Sequence, residues 1–141
     1  RFDAALGRRE FPHSSAVGKS MLAAMPRPQS DAILRAVGMP HRTPHTLTTL
    51  AALNEDLDRI IARGYAVDDE EDTEGVVCIG TCVFDRTGNA IGAISITGLK
   101  QHSTEQRQEQ LAEMLIRHAD QLSRQLGGLD GAHAWALRRT A

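Results

Sequence analysis

No apolar run in this 141-residue chain approaches the ~20 residues that a membrane-crossing helix needs, so the chain is not expected to span a bilayer. The opening residues Arg1-Phe2-Asp3-Ala4-Ala5 lack the apolar core of a signal peptide. There is no initiating methionine, which fits a piece of a longer protein. A basic excess is also missing. The net charge is −2, a poor basis for gripping a phosphate backbone. The two cysteines are too few for a disulfide scaffold and read as reduced thiols in a cytoplasm. Lysine is equally scarce, with 2 against 14 arginines, a bias to which no function attaches. What remains is 41% hydrophobic and 24% charged, the composition of one soluble globular domain.

The pattern predicts helices first. Ser14 or Ser15 can cap a helix that Pro26 ends, and Gly18 inside it permits close backbone approach. A second helix fits Pro28 to Val37, stopped by Gly38. Thr48 or Thr49 caps a stronger one, whose Leu50, Leu53, Leu57, Ile60 and Ile61 recur every three or four residues up to Gly64. The period then changes. Tyr65 to Val67 is a short strand, and Asp68 to Glu74 is acidic. Gly75 to Phe84 and Ala90 to Thr97 form a hairpin about Asp85-Arg86-Thr87-Gly88-Asn89. Alternation puts Cys78, Gly80 and Cys82 on one strand face. Ser103 and Gln106 make a capping box for a long helix with Leu111, Leu115, Ala119, Leu122 and Leu126 as its buried stripe. Gly127-Gly128 ends it. The last dozen residues, with Trp135, Arg138 and Arg139, show no amphipathic repeat and read as a tail.

Four features could carry chemistry. The helix start at Ser14 to Gly18 offers free N–H groups to a carboxylate or phosphate, although an ordinary capped helix has the same look. Its Gly-Lys-Ser ending is not a P-loop, because the first glycine and the preceding strand are missing. Cys78 and Cys82 could join His13, His41 or His45 around zinc. Their spacing is not that of a metal knuckle, and burial is the favoured reading. The run Asp68 to Glu74 lacks the glycine and spacing of a calcium loop and reads as solvated, with an acid at the strand end able to accept a hydrogen bond from a ligand hydroxyl. Ser95 and Thr97 share a strand face, and no Gly-x-Ser-x-Gly elbow surrounds any serine.

Five strings in order carry a resemblance: Pro12-His13-Ser14-Ser15-Ala16-Val17-Gly18-Lys19, Arg42-Thr43-Pro44-His45-Thr46, Arg63-Gly64-Tyr65-Ala66-Val67-Asp68-Asp69-Glu70-Glu71, Gly75-Val76-Val77-Cys78-Ile79-Gly80 and Ala93-Ile94-Ser95-Ile96-Thr97-Gly98. From Phe11 to Gly127 the chain resembles the effector-binding domain of the IclR family of bacterial transcription regulators. The resemblance implies an α+β, GAF-like (profilin-like) antiparallel sheet flanked by helices, over residues 1–128, with 129–141 as a C-terminal tail. It implies that the domain's opening strands and a winged helix-turn-helix, which would bind operator DNA, lie outside this chain. It also implies a cytoplasmic homodimer or homotetramer, most often a repressor, with no cofactor, no membrane partner and no enzymatic activity. It further implies a small organic acid as the effector. Its carboxylate would meet the backbone of Ala16, Val17 and Gly18. Asp68, Cys78 and Ser95 would contact it through side chains, and Val76 would form an apolar wall.

An enzyme is the competing reading, since some GAF-like proteins reduce free methionine sulfoxide with pocket cysteines. Such a thiol needs a cationic neighbour, and here the sequence neighbours are acidic.

Overall fold

The computed structural model describes residues 6–141. Residues 1–5 lie outside them, and residues 6–15 form neither helix nor strand. Helix α1 (Ala16–Ala24) begins at Ser15, whose side chain accepts from the Gly18 N–H, and ends at Met25 before Pro26. Helix α2 (Arg27–Val37) stops at Gly38, and α3 (Leu50–Arg63) runs from a Thr49 cap to a left-handed Gly64. Strands β1 (Ala66–Asp69), β2 (Val76–Phe84) and β3 (Ala90–Leu99) pair antiparallel in that order. The fold is α+β. No helix among the described residues is long and apolar enough to cross a membrane.

Helix α1 lies on one face of the sheet. Its Ala16, Leu22 and Ala23 join Leu34, Leu53, Leu57 and Ile60 in the larger core. On the other face, Ala112 and Leu115 of α4 (Glu105–Gln125) pack against Ile79, with Tyr65, Ile94 and Ile96 around them.

Four expectations are corrected. Strand β1 runs on into the acidic segment, because Asp68 and Asp69 pair with Cys78 and Val77. Thr104, not Ser103, caps α4, accepting from Arg107 N–H; Ser103 Oγ instead accepts from the Gln108 amide. The buried stripe of α4 is Ala112, Leu115, Ala119 and Ser123, while Leu126 is 59% exposed. Ser123 takes a core position because its hydroxyl accepts from Phe84 N–H at 3.1 Å and donates to Ala119 O at 2.9 Å, so a polar group is buried fully bonded. The expected tail holds helix α5 (Gly131–Arg139), capped by Asp130. Its Trp135 is buried edge-on against Phe84, with ring centroids 5.4 Å apart.

Candidate functional site

Register decides which side chains meet. Asp68 pairs with Cys78, and Cys78 with Thr97; Ala66 pairs with Gly80, and Gly80 with Ser95. Directly opposed residues of an antiparallel sheet share a face. Asp68, Val76, Cys78, Ser95 and Thr97 therefore lie on the α1 face. Asp68 is buried, Val76 and Cys78 are half-buried, and Ser95 and Thr97 are exposed. Cys78 Sγ and Thr97 Oγ1 are 3.3 Å apart. Beyond them a groove of about 830 Å³ opens, lined by Val76, Thr97, Gly75, Leu99 and Lys100 among others.

The start of α1 reaches this face at Gly80. A Cβ there would lie 2.8 Å from Ala16 C and 3.0 Å from Val17 N, so only glycine admits the helix end so close. Gly18 serves in the same way beneath Pro12, whose Cα would be 2.5 Å from an added Cβ. The Ser15 cap consumes the Gly18 N–H at 3.1 Å, so Gly18 has no amide free for a carboxylate. The Ala16 and Val17 amides donate to no group among the described residues.

The first part of the acidic run, Asp68 to Asp72, is not a solvated loop, while Thr73 and Glu74 are exposed. Asp68 Oδ1 accepts from the N–H groups of Glu71 at 2.7 Å and Asp72 at 3.3 Å, while Oδ2 takes part in neither bond. Thr43 and Thr46 each donate to the run's backbone, to Glu70 O and Glu71 O at 2.6 Å. Ser14 donates to Asp72 Oδ1 at 3.0 Å. Burial raises the Asp68 carboxyl to about 7, against the opposing pull of the Glu71 amide. Burial likewise pushes the Cys78 thiol up to about 11 and Cys82 to about 12, so both are protonated at neutral pH. Such thiols are poor nucleophiles and poor metal ligands. Among the described residues, no group of three or more His, Cys, Asp and Glu side chains converges on a possible metal position.

The family model described as "Bacterial transcriptional regulator IclR C-terminal" matches residues 1–124. This chain belongs to the IclR family. The HTH-type transcriptional regulator BhcR of Paracoccus denitrificans is 38% identical over 117 residues, 83% of this chain and 42% of that protein. The crystal structure of the C-terminal domain of the Escherichia coli transcriptional regulator KdgR matches with a TM-score of 0.82 at 37% identity, covering 86% of this chain and 74% of that one. The inducer-binding domain of the Acinetobacter transcription factor PobR, solved as a double mutant with 3-hydroxybenzoic acid, matches with a TM-score of 0.78 at 26% identity, over 84% of this chain and 71% of that one. The chain spans just under half the length of the curated relatives it matches. Those relatives are transcriptional regulators, not enzymes.

Reading the sequence of this IclR-family domain missed Lys19. Its side chain is buried, with Nζ 2.6 Å from Asp56 Oδ2, 2.7 Å from Glu71 Oε1 and 2.6 Å from Val67 O. The signal was its spacing: Lys19 stands three residues after Ala16 and three before Leu22, on the buried face of α1. His13 is also buried. Its Nε2 lies 2.9 Å from Pro40 O, and its Nδ1 has no partner among the described residues.

Gly80→Ala tests the close approach. The added methyl meets backbone rather than a yielding side chain, so overpacking is expected to cost about 1–3 kcal/mol in urea unfolding. An unchanged midpoint would show that α1 shifts freely.

Proposed function

We propose that this chain is the effector-sensing domain of an IclR-type regulator, and that its effector is a small organic acid bound between the start of α1 and the Asp68–Cys78–Thr97 row. The carrying observation is that Ala16 and Val17 bring amides with no partner among the described residues to the sheet face that holds Asp68, Cys78 and Ser95. Amides at a helix start suit a carboxylate. Val76 walls the groove, and Ser95 supplies a hydroxyl from the neighbouring strand. The PobR inducer-binding domain, solved with a hydroxy acid, supports this class of ligand.

Asp68 suits a second oxygen function on the acid. A carboxyl titrating near 7 is partly protonated at neutral pH and can donate to a keto oxygen or accept from a hydroxyl. Its protonated form also spares the bound carboxylate a like charge. Effector binding would alter operator affinity through a winged helix-turn-helix elsewhere in the full regulator. That regulator would be a cytoplasmic homodimer or homotetramer acting as a repressor.

Calorimetry with hydroxy and keto acids and their amides tests the reading. The acids are expected to bind and the amides not; equal affinity would move the anion site elsewhere. Asp68→Ala should weaken binding by about 1–3 kcal/mol and Ser95→Ala by about 0.5–1.5 kcal/mol. Affinity should fall as the pH rises through 7, where Asp68 gains its charge. Unchanged affinity in both variants would retire these two residues from the site.

A further inference from the structure

Lys19 does more than fill a buried position. Two of its three acceptors bracket Asp68 in sequence: Val67 O on the residue before, and Glu71 Oε1 three residues after. Glu71 is itself folded back onto this segment. Its N–H donates to Asp68 Oδ1 at 2.7 Å, and its Oε2 accepts from Asp69 N–H at 3.0 Å. The third acceptor, Asp56, belongs to α3 and makes no hydrogen bond to this segment among the described residues; its other oxygen takes Arg59 at 3.3 Å. Lys19 also lies one helical turn beyond Ala16. A single chain of short, buried contacts thus runs from the start of α1, through the ammonium group, to the carboxyl of Asp68. Lysine suits this better than arginine, because a compact ammonium with three N–H donors matches three convergent acceptors.

We propose that Lys19 is a positioning residue for Asp68, fixing its carboxyl at a set separation from the Ala16 and Val17 amides. That separation is the distance between an acid's carboxylate and its second oxygen function, so Lys19 sets the preference for acids with a neighbouring keto or hydroxyl group over their deoxy analogues. This last step rests on the proposed effector site; the placement of Asp68 by Lys19 does not.

Amide hydrogen exchange on the ligand-free domain separates positioning from general support. Glu71 and Asp72 donate to Asp68 Oδ1, so their amides report its placement, while the Ile79 amide in central β2 reports global stability. Lys19→Met is expected to strip the Glu71 and Asp72 amides of protection, so that they exchange at the rate of unstructured peptide while Ile79 stays protected. Should that variant not fold, Glu71→Gln removes the charged partner while keeping its volume, and the same selective loss is expected. Asp56→Asn, which cuts the α3 anchor and leaves the Val67 and Glu71 contacts of Lys19 in place, should leave all three amides protected. Protection retained at Glu71 and Asp72 in the Lys19 or Glu71 variants overturns the proposal.

A second arm compares pyruvate and lactate with propionate by calorimetry. The preference for the oxygenated acids should fall about tenfold in Glu71→Gln and hold in Asp56→Asn. If the unaltered domain binds none of the three, or shows no preference, the effector reading fails for these acids and the exchange result still decides the role of Lys19.

Discussion

Replacing Trp135 with alanine is expected to lower the unfolding free energy by about 3–5 kcal/mol, the range for truncating a large buried aromatic side chain. The indole is 3% exposed and meets Phe84 edge-on at the end of β2. It is also the anchor of α5. From that helix Arg138 donates to Ala23 O at 3.2 Å and Met25 O at 3.0 Å, and Arg139 to Ile61 O at 2.9 Å and Ala62 O at 3.0 Å. These carbonyls are at the C-terminal ends of α1 and α3, where a helix leaves acceptors unpaired and its dipole favours a cation. Losing the indole should therefore loosen two caps together with one aromatic contact. Urea unfolding followed by circular dichroism measures it. A loss below about 1 kcal/mol would mean that α5 is only an appendage, since that is the scale of a surface substitution.

Lys19→Met is expected to cost about 3–5 kcal/mol in the same assay, because it leaves Glu71 buried without its cation and Asp56 with only the half-exposed Arg59. Asp56 and Glu71 both have side chains about nine-tenths buried, at 12% and 11% exposure. Glu71 already titrates above the usual glutamate range because burial disfavours its charge, and Lys19 is what opposes that. The direction with pH follows. Without Lys19, a buried Glu71 favours the protonated form more strongly in the folded state than in the unfolded chain, so the variant's deficit should shrink as the pH falls towards the carboxylate range and grow above it. A deficit that is small and independent of pH would show that the two acids find water or other partners once the ammonium is gone.

Much of the architecture was legible before any coordinates. Three helix starts rest on Ser15, Thr49 and the break at Pro26, and the stops at Gly38 and Gly64 are local effects of backbone conformation. The hairpin follows from alternation around Asp85 to Asn89. Once the strands are paired, the register places Asp68, Cys78 and Ser95 on one face, which the period of two allows but does not by itself establish.

Other features depend on parts of the chain far apart in sequence. Nothing near Trp135 shows that Phe84 waits for it, or that two arginines will find the ends of α1 and α3. Nothing within Asp68 to Asp72 shows that Ser14, Lys19, Thr43 and Thr46 will turn an acidic run into an anchored turn with Asp68 and Glu71 buried. Sequence by itself determined α1 to α3 with their caps and stops, the β2–β3 hairpin and the family, because propensity, capping and hydrophobic period act within a few residues. Only the tertiary structure decided that Gly18's amide is spent on its own cap, that Lys19 is a buried clamp and that Asp68 titrates near 7. Desolvation, ion pairing and hydrogen-bond satisfaction are set by what packs around a group, and that is decided by segments dozens of residues away.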